Sequence, residues 1–143
     1  MASVERSRVL GAEPGVVEDL LTGDVEALVT AAGYDSVTVE GDRIDIEQRL
    51  GLATLSLTLR RRSDAEATLA IEQEEGHFET MWTEYDVEPT DGGTELTART
   101  EFTLGGVAGS VLDETLVRRQ RTKELEAQLD DVEQRVAAMT TAE

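Results

Sequence analysis

The feature that most constrains this fold is the last long segment, Ser110 to Met139, which has the pattern of one amphipathic helix. Its apolar residues recur at spacings of four and three: Leu125, Leu129, Val132, Val136 and Met139. We expect Leu112 and Leu116 to extend this stripe toward the N-terminal end. At about 1.5 Å per residue the helix is roughly 40 Å long, and its stripe must be covered by another element.

The segments before this helix predict the sheet that covers it. Ser3–Leu10 is β-compatible, and two short helices follow, Pro14–Thr22 and Asp24 to about Ala32. From Tyr34 onward, apolar and polar residues alternate through six segments separated by turn signals, of which Pro89–Gly93 is the clearest. Strands joined by short turns pair antiparallel, and each has one apolar face. We therefore predict one α+β domain, residues 1–143, with about seven strands in a strongly curved sheet around the C-terminal helix.

Charge and composition exclude several classes of function. The 143 residues carry a net charge of −18, from 31 acidic and 13 basic side chains, and no cysteine. The missing cysteine excludes disulfides, thiolate catalysis and cysteine-ligated zinc. An acidic surface repels nucleic acids and anionic membranes, so we expect neither as a partner. The composition resembles that of proteins from salt-accumulating organisms, in which acidity adapts the surface to the solvent.

The location and assembly of the protein are also expectations from the sequence. Residues 1–6 do not begin a signal peptide, and no apolar run approaches the roughly 18 residues of a membrane span. We expect a cytoplasmic protein without membrane insertion, present as a monomer or a weak homodimer.

Three short segments carry a resemblance to a known superfamily. Ser7–Pro14 is similar to a first strand running into a helix that begins with Ala-Pro, and Thr83–Pro89 followed by Asp91–Leu96 looks like a late hairpin. Together with the order of the elements, these segments resemble the START-related helix-grip superfamily, which includes polyketide cyclases/dehydrases and lipid-transfer proteins. The resemblance implies a cavity between sheet and helix that receives an apolar small molecule.

Inward-facing positions are the candidate lining of that cavity. The predicted lining residues are Leu55, Leu57, Leu59, Leu69, Ile71, Tyr85, Leu96, Thr100, Phe102, Leu112, Leu116 and Arg119. The alternation does not decide whether Trp82 or Tyr85 faces inward. The same residues would form an ordinary core if they filled the space, because protein interiors are close-packed. A gap of about 300 Å³ or more favours a ligand site, whereas a filled interior favours a partner that binds outside.

The only basic cluster is Arg118, Arg119, Arg121 and Lys123. Arg119 follows Leu116 by three residues, so we place it near the inward side, where its planar guanidinium would bind a carboxylate or enolate of a ligand. The alternative is that Glu114 pairs with Arg118 at i, i+4 and that the other cations meet acidic strands outside.

His77 is the only histidine, and a regular strand places it on one face with Glu75 and Glu79. This spacing suits a divalent metal or a general base. The alternative is an exposed histidine after a turn glycine, and with 31 acidic residues a neighbouring glutamate is expected by chance. No nucleotide-binding loop is present, since Gly105, Gly106 and Gly109 lack the lysine of such a motif. We predict no metal and no cofactor.

The sequence thus favours a carrier or sensor for an apolar small molecule, with Arg119 as an optional polar anchor. One alternative is an enzyme of the cyclase or dehydratase kind, in which Arg119, Thr100 or His77 assists proton transfer. The other is an interaction module with a filled interior whose partner binds outside.

The net charge generates a first prediction. Self-repulsion destabilises a compact acidic chain, and the screening length falls from about 10 Å at 0.1 M salt to about 3 Å at 1 M. We expect the free energy of unfolding, measured by urea denaturation, to rise as KCl increases over this range. A free energy that is flat or falls would contradict the expectation.

Overall fold

The computed structural model describes residues 2–50, 52–63, 66–104 and 114–141. Along the chain the elements are β1 (Ala2–Leu10), α1 (Pro14–Thr22), α2 (Val25–Thr30), β2 (Ser36–Glu40), β3 (Arg43–Leu50), β4 (Ala53–Arg61), β5 (Leu69–Glu75), β6 (Phe78–Thr90), β7 (Gly93–Leu104) and α3 (Glu114–Thr141). The predicted helix start at residues 110–113, including the candidate lining residue Leu112, lies outside the described residues.

The seven strands form one antiparallel sheet in the order β1-β7-β6-β5-β4-β3-β2. Consecutive strands from β2 to β7 are neighbours, as the short turns predicted, and β1 pairs with β7 from Ala2 opposite Phe102 to Leu10 opposite Thr94. The long helix α3 packs against this sheet. The predicted α+β helix-grip fold, with seven strands and a long C-terminal helix, is therefore confirmed.

Alternation from Met81 to Tyr85 on β6 decides which of these side chains face α3. Met81, Thr83 and Tyr85 are buried, whereas the intervening Trp82 and Glu84 are only partly buried. Successive strand residues point to opposite faces, so Tyr85 belongs to the inner face and Trp82 to the outer face. The same rule settles β1, where Val4 is buried and Val9 is 61% exposed.

The apolar stripe of α3 is confirmed over its central part. Leu125, Leu129, Val132 and Val136 are all buried, and Met139, in the last turns, is 49% exposed. Leu116 is 52% exposed, so its predicted place in the stripe is wrong. The reason is geometric: nine residues separate Leu116 from Leu125, which is about two and a half helical turns, so Leu116 does not lie on the stripe.

A cluster of ion pairs attaches β1 to α3. Arg8 contacts Asp130 at 2.7 Å, Glu126 at 3.0 Å and Glu133 at 3.1 Å. The three carboxylates follow one another at spacings of four and three, so they share one face of the helix. A single exposed ion pair adds little stability, but three acceptors around one guanidinium fix the orientation of the first strand against the helix.

The β6–β7 hairpin, predicted from Pro89–Gly93, packs closely against the end of β1. Gly92 has φ +87°, a conformation that favours glycine. A Cβ on Gly93 would lie 2.2 Å from the carbonyl oxygen of Leu10. Gly93 therefore allows the hairpin and the first strand to approach at the edge where the sheet meets α1.

Candidate functional site

An outer cavity of about 60 Å³ lies between α3 and strands β3, β4 and β6. Its lining combines an apolar wall with polar side chains: Tyr34, Gln48, Leu55, Leu57, His77, Phe78, Leu116, Val117, Gln120, Arg121 and Glu124. Because Leu116 lines this cavity and is also half exposed, it marks the side on which the cavity meets solvent.

An inner cavity of about 20 Å³ lies deeper between α3 and the sheet. It is lined by Val29, Tyr34, Leu59, Ile71, Met81, Thr83, Tyr85, Arg121 and Gln128. Tyr34 and Arg121 line both cavities, so they form the partition between them.

Both volumes are smaller than the gap of about 300 Å³ that we expected of a ligand site. One water occupies about 10–15 Å³ on this kind of measure, so the inner cavity of about 20 Å³ has room for one water and the outer cavity of about 60 Å³ for a few. Most of the space between sheet and helix is filled by side chains.

The partition is part of a buried polar group that we call the Arg121 cluster: Tyr34, Thr83, Thr100, Arg121 and Glu124. One terminal guanidinium nitrogen of Arg121, Nη1, donates to the carboxylate of Glu124 and, at 3.0 Å, to the hydroxyl of Tyr34. The other, Nη2, donates to the hydroxyls of Thr83 at 2.8 Å and Thr100 at 3.0 Å. The cluster therefore joins α3 to β6, to β7 and to the segment between α2 and β2.

The carboxylate of Glu124 is also fully engaged. Its Oε1 accepts from the hydroxyl of Tyr34 at 2.8 Å, and its Oε2 accepts from the side-chain amide of Gln120 at 3.1 Å. The side chains of Arg121 and Glu124 are only 8% and 5% exposed. A buried ion pair is stable only when its remaining hydrogen-bonding capacity is met, and these partners meet most of it.

Two buried atoms of the outer cavity lining have no hydrogen-bond partner among the described residues: Arg121 Nε and His77 Nδ1. A guanidinium carries five N–H donors, and the four contacts of Nη1 and Nη2 leave the one on Nε. Buried polar atoms are normally paired. The residues that line the outer cavity therefore have donor or acceptor capacity that the described part of the chain does not use.

Burial and charge set the protonation states in the cluster. Burial disfavours the charged form of Arg121, but the neighbouring Tyr34 and Glu124 outweigh it, so the pKa of Arg121 is raised and its charge is kept. Burial raises the pKa of Tyr34 well above its usual value and that of Tyr85 to about 12. Burial lowers the pKa of His77, so its imidazole is neutral at pH 7.

Beneath the partition, Tyr85 and Gln128 close the inner cavity. The hydroxyl of Tyr85 donates to Gln128 Oε1 at 2.7 Å, and Gln128 Nε2 donates to the backbone carbonyl of Leu28 at 3.0 Å. This chain of hydrogen bonds links β6, α3 and α2. Tyr85 is thus held by a partner, in contrast to His77.

Arg119, predicted near the inward side of the helix, is exposed. It precedes Leu125 by six residues, about one and two-thirds turns, so it faces away from the stripe. The inward cation is instead Arg121, four residues before Leu125 and hence on the same face, a spacing from which sequence reasoning could have found it. The alternative for Arg118 is confirmed, since it pairs with Glu114 at 3.6 Å.

The structure distributes the other predicted lining residues over three environments. Leu55, Leu57 and Leu116 line the outer cavity, and Leu59, Ile71 and Tyr85 line the inner one. Thr100 belongs to the Arg121 cluster, and Leu69, Leu96 and Phe102 are fully buried in the core. Reasoning from the sequence missed Tyr34, Gln48, Gln120 and Glu124, which line the outer cavity, and Gln128, which lines the inner one.

The possible metal site around His77 receives no geometric support. Among the described residues, no three histidine or acidic side chains come together as a metal site needs. His77 is half-buried in the outer cavity, with its ring 4.2 Å from that of Phe78, whereas Glu75 and Glu79 are exposed.

A seven-stranded antiparallel sheet that packs against one long C-terminal helix, with cavities between them, is the α+β helix-grip fold. A family model described as "Polyketide cyclase / dehydrase and lipid transport" matches residues 1–137, so the chain belongs to this family. No protein with a curated description matches the chain by sequence.

Solved structures agree with this fold. The protein TTHA0849 from Thermus thermophilus is 22% identical with a TM-score of 0.75, over 96% of this chain and 99% of that one. The Zhui aromatase/cyclase from Streptomyces sp. R1128 is 21% identical with a TM-score of 0.68, over 94% and 95%. A START superfamily protein from Mycobacterium smegmatis is 11% identical with a TM-score of 0.72, over 96% and 98%.

The helices add one further observation. Within the part of the chain that the structure describes, no helix combines the length and the apolar character needed to cross a membrane.

The Arg121 cluster generates a prediction about stability. Arg121→Met or Glu124→Gln alone leaves one buried group without its opposite charge, which typically costs about 3–5 kcal/mol. We expect the double variant to cost clearly less than the sum of the two, because the two groups interact directly. Urea denaturation at constant high salt measures all three.

The exposed pair of Glu114 and Arg118 on the same helix is the matched control. Its single variants, Glu114→Gln and Arg118→Met, should each cost less than about 1 kcal/mol. Additive losses at Arg121 and Glu124 would show that the two side chains do not depend on each other.

Proposed function

We propose that this chain binds an apolar small molecule that inserts into the outer cavity between the sheet and α3. The observation that carries the proposal is the composition of that cavity. Leu55, Leu57, Phe78, Leu116 and Val117 supply an apolar wall, and Arg121 Nε and His77 Nδ1 are buried in the lining residues without a partner among the described residues. An apolar lining with a few polar groups is typical of ligand sites.

The small volume limits what part of a ligand enters. A cavity of about 60 Å³ receives one end of a molecule, and the remainder lies at the half-exposed Leu116 unless the walls move apart. The same volume is the observation that favours the alternative of a filled interior with a partner outside. Binding measurements separate the two.

The test uses N-phenyl-1-naphthylamine, a neutral apolar dye whose fluorescence rises in apolar surroundings. We expect the protein at high salt to bind the dye and Val117→Phe to weaken binding at least about tenfold. Val117 is buried and lines the outer cavity, so a larger side chain there occupies the space.

Val9→Phe is the matched control, because Val9 is 61% exposed on β1 and is not among the residues that line either cavity. This variant should bind the dye like the parent protein. Failure of the parent protein to bind the dye, together with a Val117→Phe variant that is more stable than the parent, would support the filled interior and overturn the proposal.

Acid–base catalysis is a second candidate, supported by the position of His77. Its neutral imidazole lines the same cavity as Arg121, so a base and a guanidinium with one unpartnered donor, Nε, border one small space. A base beside a carbonyl group removes an α-proton, and a guanidinium stabilises the resulting enolate.

Exchange of the methyl protons of acetophenone in D₂O, followed by NMR, tests this candidate. We expect the protein to accelerate the exchange and His77→Gln to abolish the acceleration while dye binding is retained. An exchange rate equal to that without protein, or one that His77→Gln leaves unchanged, would exclude His77 as the base.

A further inference from the structure

We propose that the outer cavity selects uncharged ligands that carry a hydrogen-bond acceptor, such as ketones and amides, and rejects carboxylates of the same shape. The inference rests on the proposed binding function and deepens it. Its basis is that the buried cation at the cavity is already neutralised by a residue of the chain.

The charges around the cavity balance without a ligand. Among the described lining residues, Arg121 supplies one positive charge and Glu124 one negative charge, and the two are in direct contact. His77 is the remaining titratable side chain of the lining besides Tyr34, and burial keeps the imidazole neutral at pH 7. A carboxylate entering this cavity finds no uncompensated positive charge.

The cost of a third charge follows from the burial of the pair. Moving a carboxylate out of water is unfavourable unless a cation and hydrogen bonds replace its hydration. A carboxylate that accepts from Nε of Arg121 is repelled by the carboxylate of Glu124, which holds the same guanidinium at Nη1 and also accepts from Tyr34 and Gln120. An uncharged acceptor meets no such repulsion.

The hydrogen-bond inventory defines what the ligand group should be. Of the five guanidinium donors of Arg121, Nε is the one without a partner among the described residues. The hydroxyl of Tyr34 donates to Glu124 and is therefore not free for a ligand. A ketone or amide oxygen supplies the missing acceptor. A hydrocarbon without an acceptor would leave Nε unpaired.

The sequence suggested that Arg119 faces inward and binds a carboxylate or enolate, whereas the outer cavity favours an uncharged group. Arg119 and Lys123 are exposed on α3, where water hydrates them. The cation that determines selectivity is therefore the buried Arg121, whose positive charge is neutralised by Glu124. Substitution of Glu124 should consequently change the selectivity.

Two probes of nearly the same shape test the inference: acetophenone, with a methyl ketone, and benzoate, with a carboxylate. Each competes against the neutral dye near pH 7 at about 1 M KCl, where the exterior charge is screened beyond about 3 Å. We expect the parent protein to bind acetophenone at least about tenfold more tightly than benzoate. Glu124→Gln leaves the positive charge of Arg121 without a counter-charge. We expect this variant to bind benzoate at least about tenfold more tightly than the parent protein does, and more tightly than it binds acetophenone.

Glu114→Gln is the matched control, because it removes the same charge from the exposed start of the same helix. It should leave the ratio of the two affinities unchanged. Benzoate binding equal to or tighter than acetophenone in the parent protein, or an unchanged ratio in folded Glu124→Gln, would overturn the inference while the dye still reports a ligand site. Absence of dye binding to the parent protein would instead overturn the proposed function.

A further variant covers the case in which Glu124→Gln does not fold. The double variant Arg121→Met/Glu124→Gln has no buried charge in the cluster, and we expect it still to reject benzoate while it loses the preference for acetophenone over α-methylstyrene, which lacks the oxygen. Tighter benzoate binding by this variant would show that Arg121 and Glu124 do not set the selectivity.

Discussion

The buried ion pair between Arg121 and Glu124 is the interaction on which the interior of this protein depends. Both residues belong to α3, but their partners come from elsewhere: Tyr34 before β2, Thr83 on β6 and Thr100 on β7. Thr83 and Thr100 are opposite one another in the β6–β7 register, so one strand pairing presents both hydroxyls to the guanidinium. A rotation of α3 or a slip of that pairing would leave buried charge unsatisfied, and the cluster therefore fixes how helix and sheet fit.

The exterior and the interior of the molecule follow different electrostatic rules. The net charge of −18 resides on a surface where mobile ions screen it, and this term changes with salt. The Arg121 cluster is buried, so salt screens it much less and its charge balance is set mainly by its own side chains. The acidity of the surface and the chemistry of the cavity can consequently vary independently, because the surface contacts the salt solution and the cavity is lined by buried side chains.

The architecture could be predicted because apolar residues recur every second position in the strands and every three or four positions in the long helix. Alternation survives in β6 and β7, and the spacing of Leu125, Leu129 and Val132 gives the inward side of α3. The site was predicted less well. Leu116 was placed inward as an extension of the stripe, and Arg119 by its spacing from Leu116, although their distances from Leu125 put both off the stripe.

Arg121 was overlooked because arginine is rarely buried without partners, and apart from Glu124 its partners are distant in sequence. Tyr34 and Thr83 precede it by 87 and 38 residues. They become neighbours only through the strand register and the path of the chain between α2 and β2. The spacing from Leu125 shows that Arg121 faces inward, but no local pattern shows which hydroxyls it meets, so the complete cluster is visible only in three dimensions.

The position of Trp82 has a consequence for how this molecule can be observed. The single tryptophan of the chain lies on the outer face of the sheet beside Glu84, whose carboxylate accepts from its indole nitrogen. A layer of β-sheet separates it from α3 and the interior. Its intrinsic emission is therefore governed by the environment on the outer face of the sheet, and a compound that does not absorb the emitted light leaves this environment unchanged when it enters between sheet and helix.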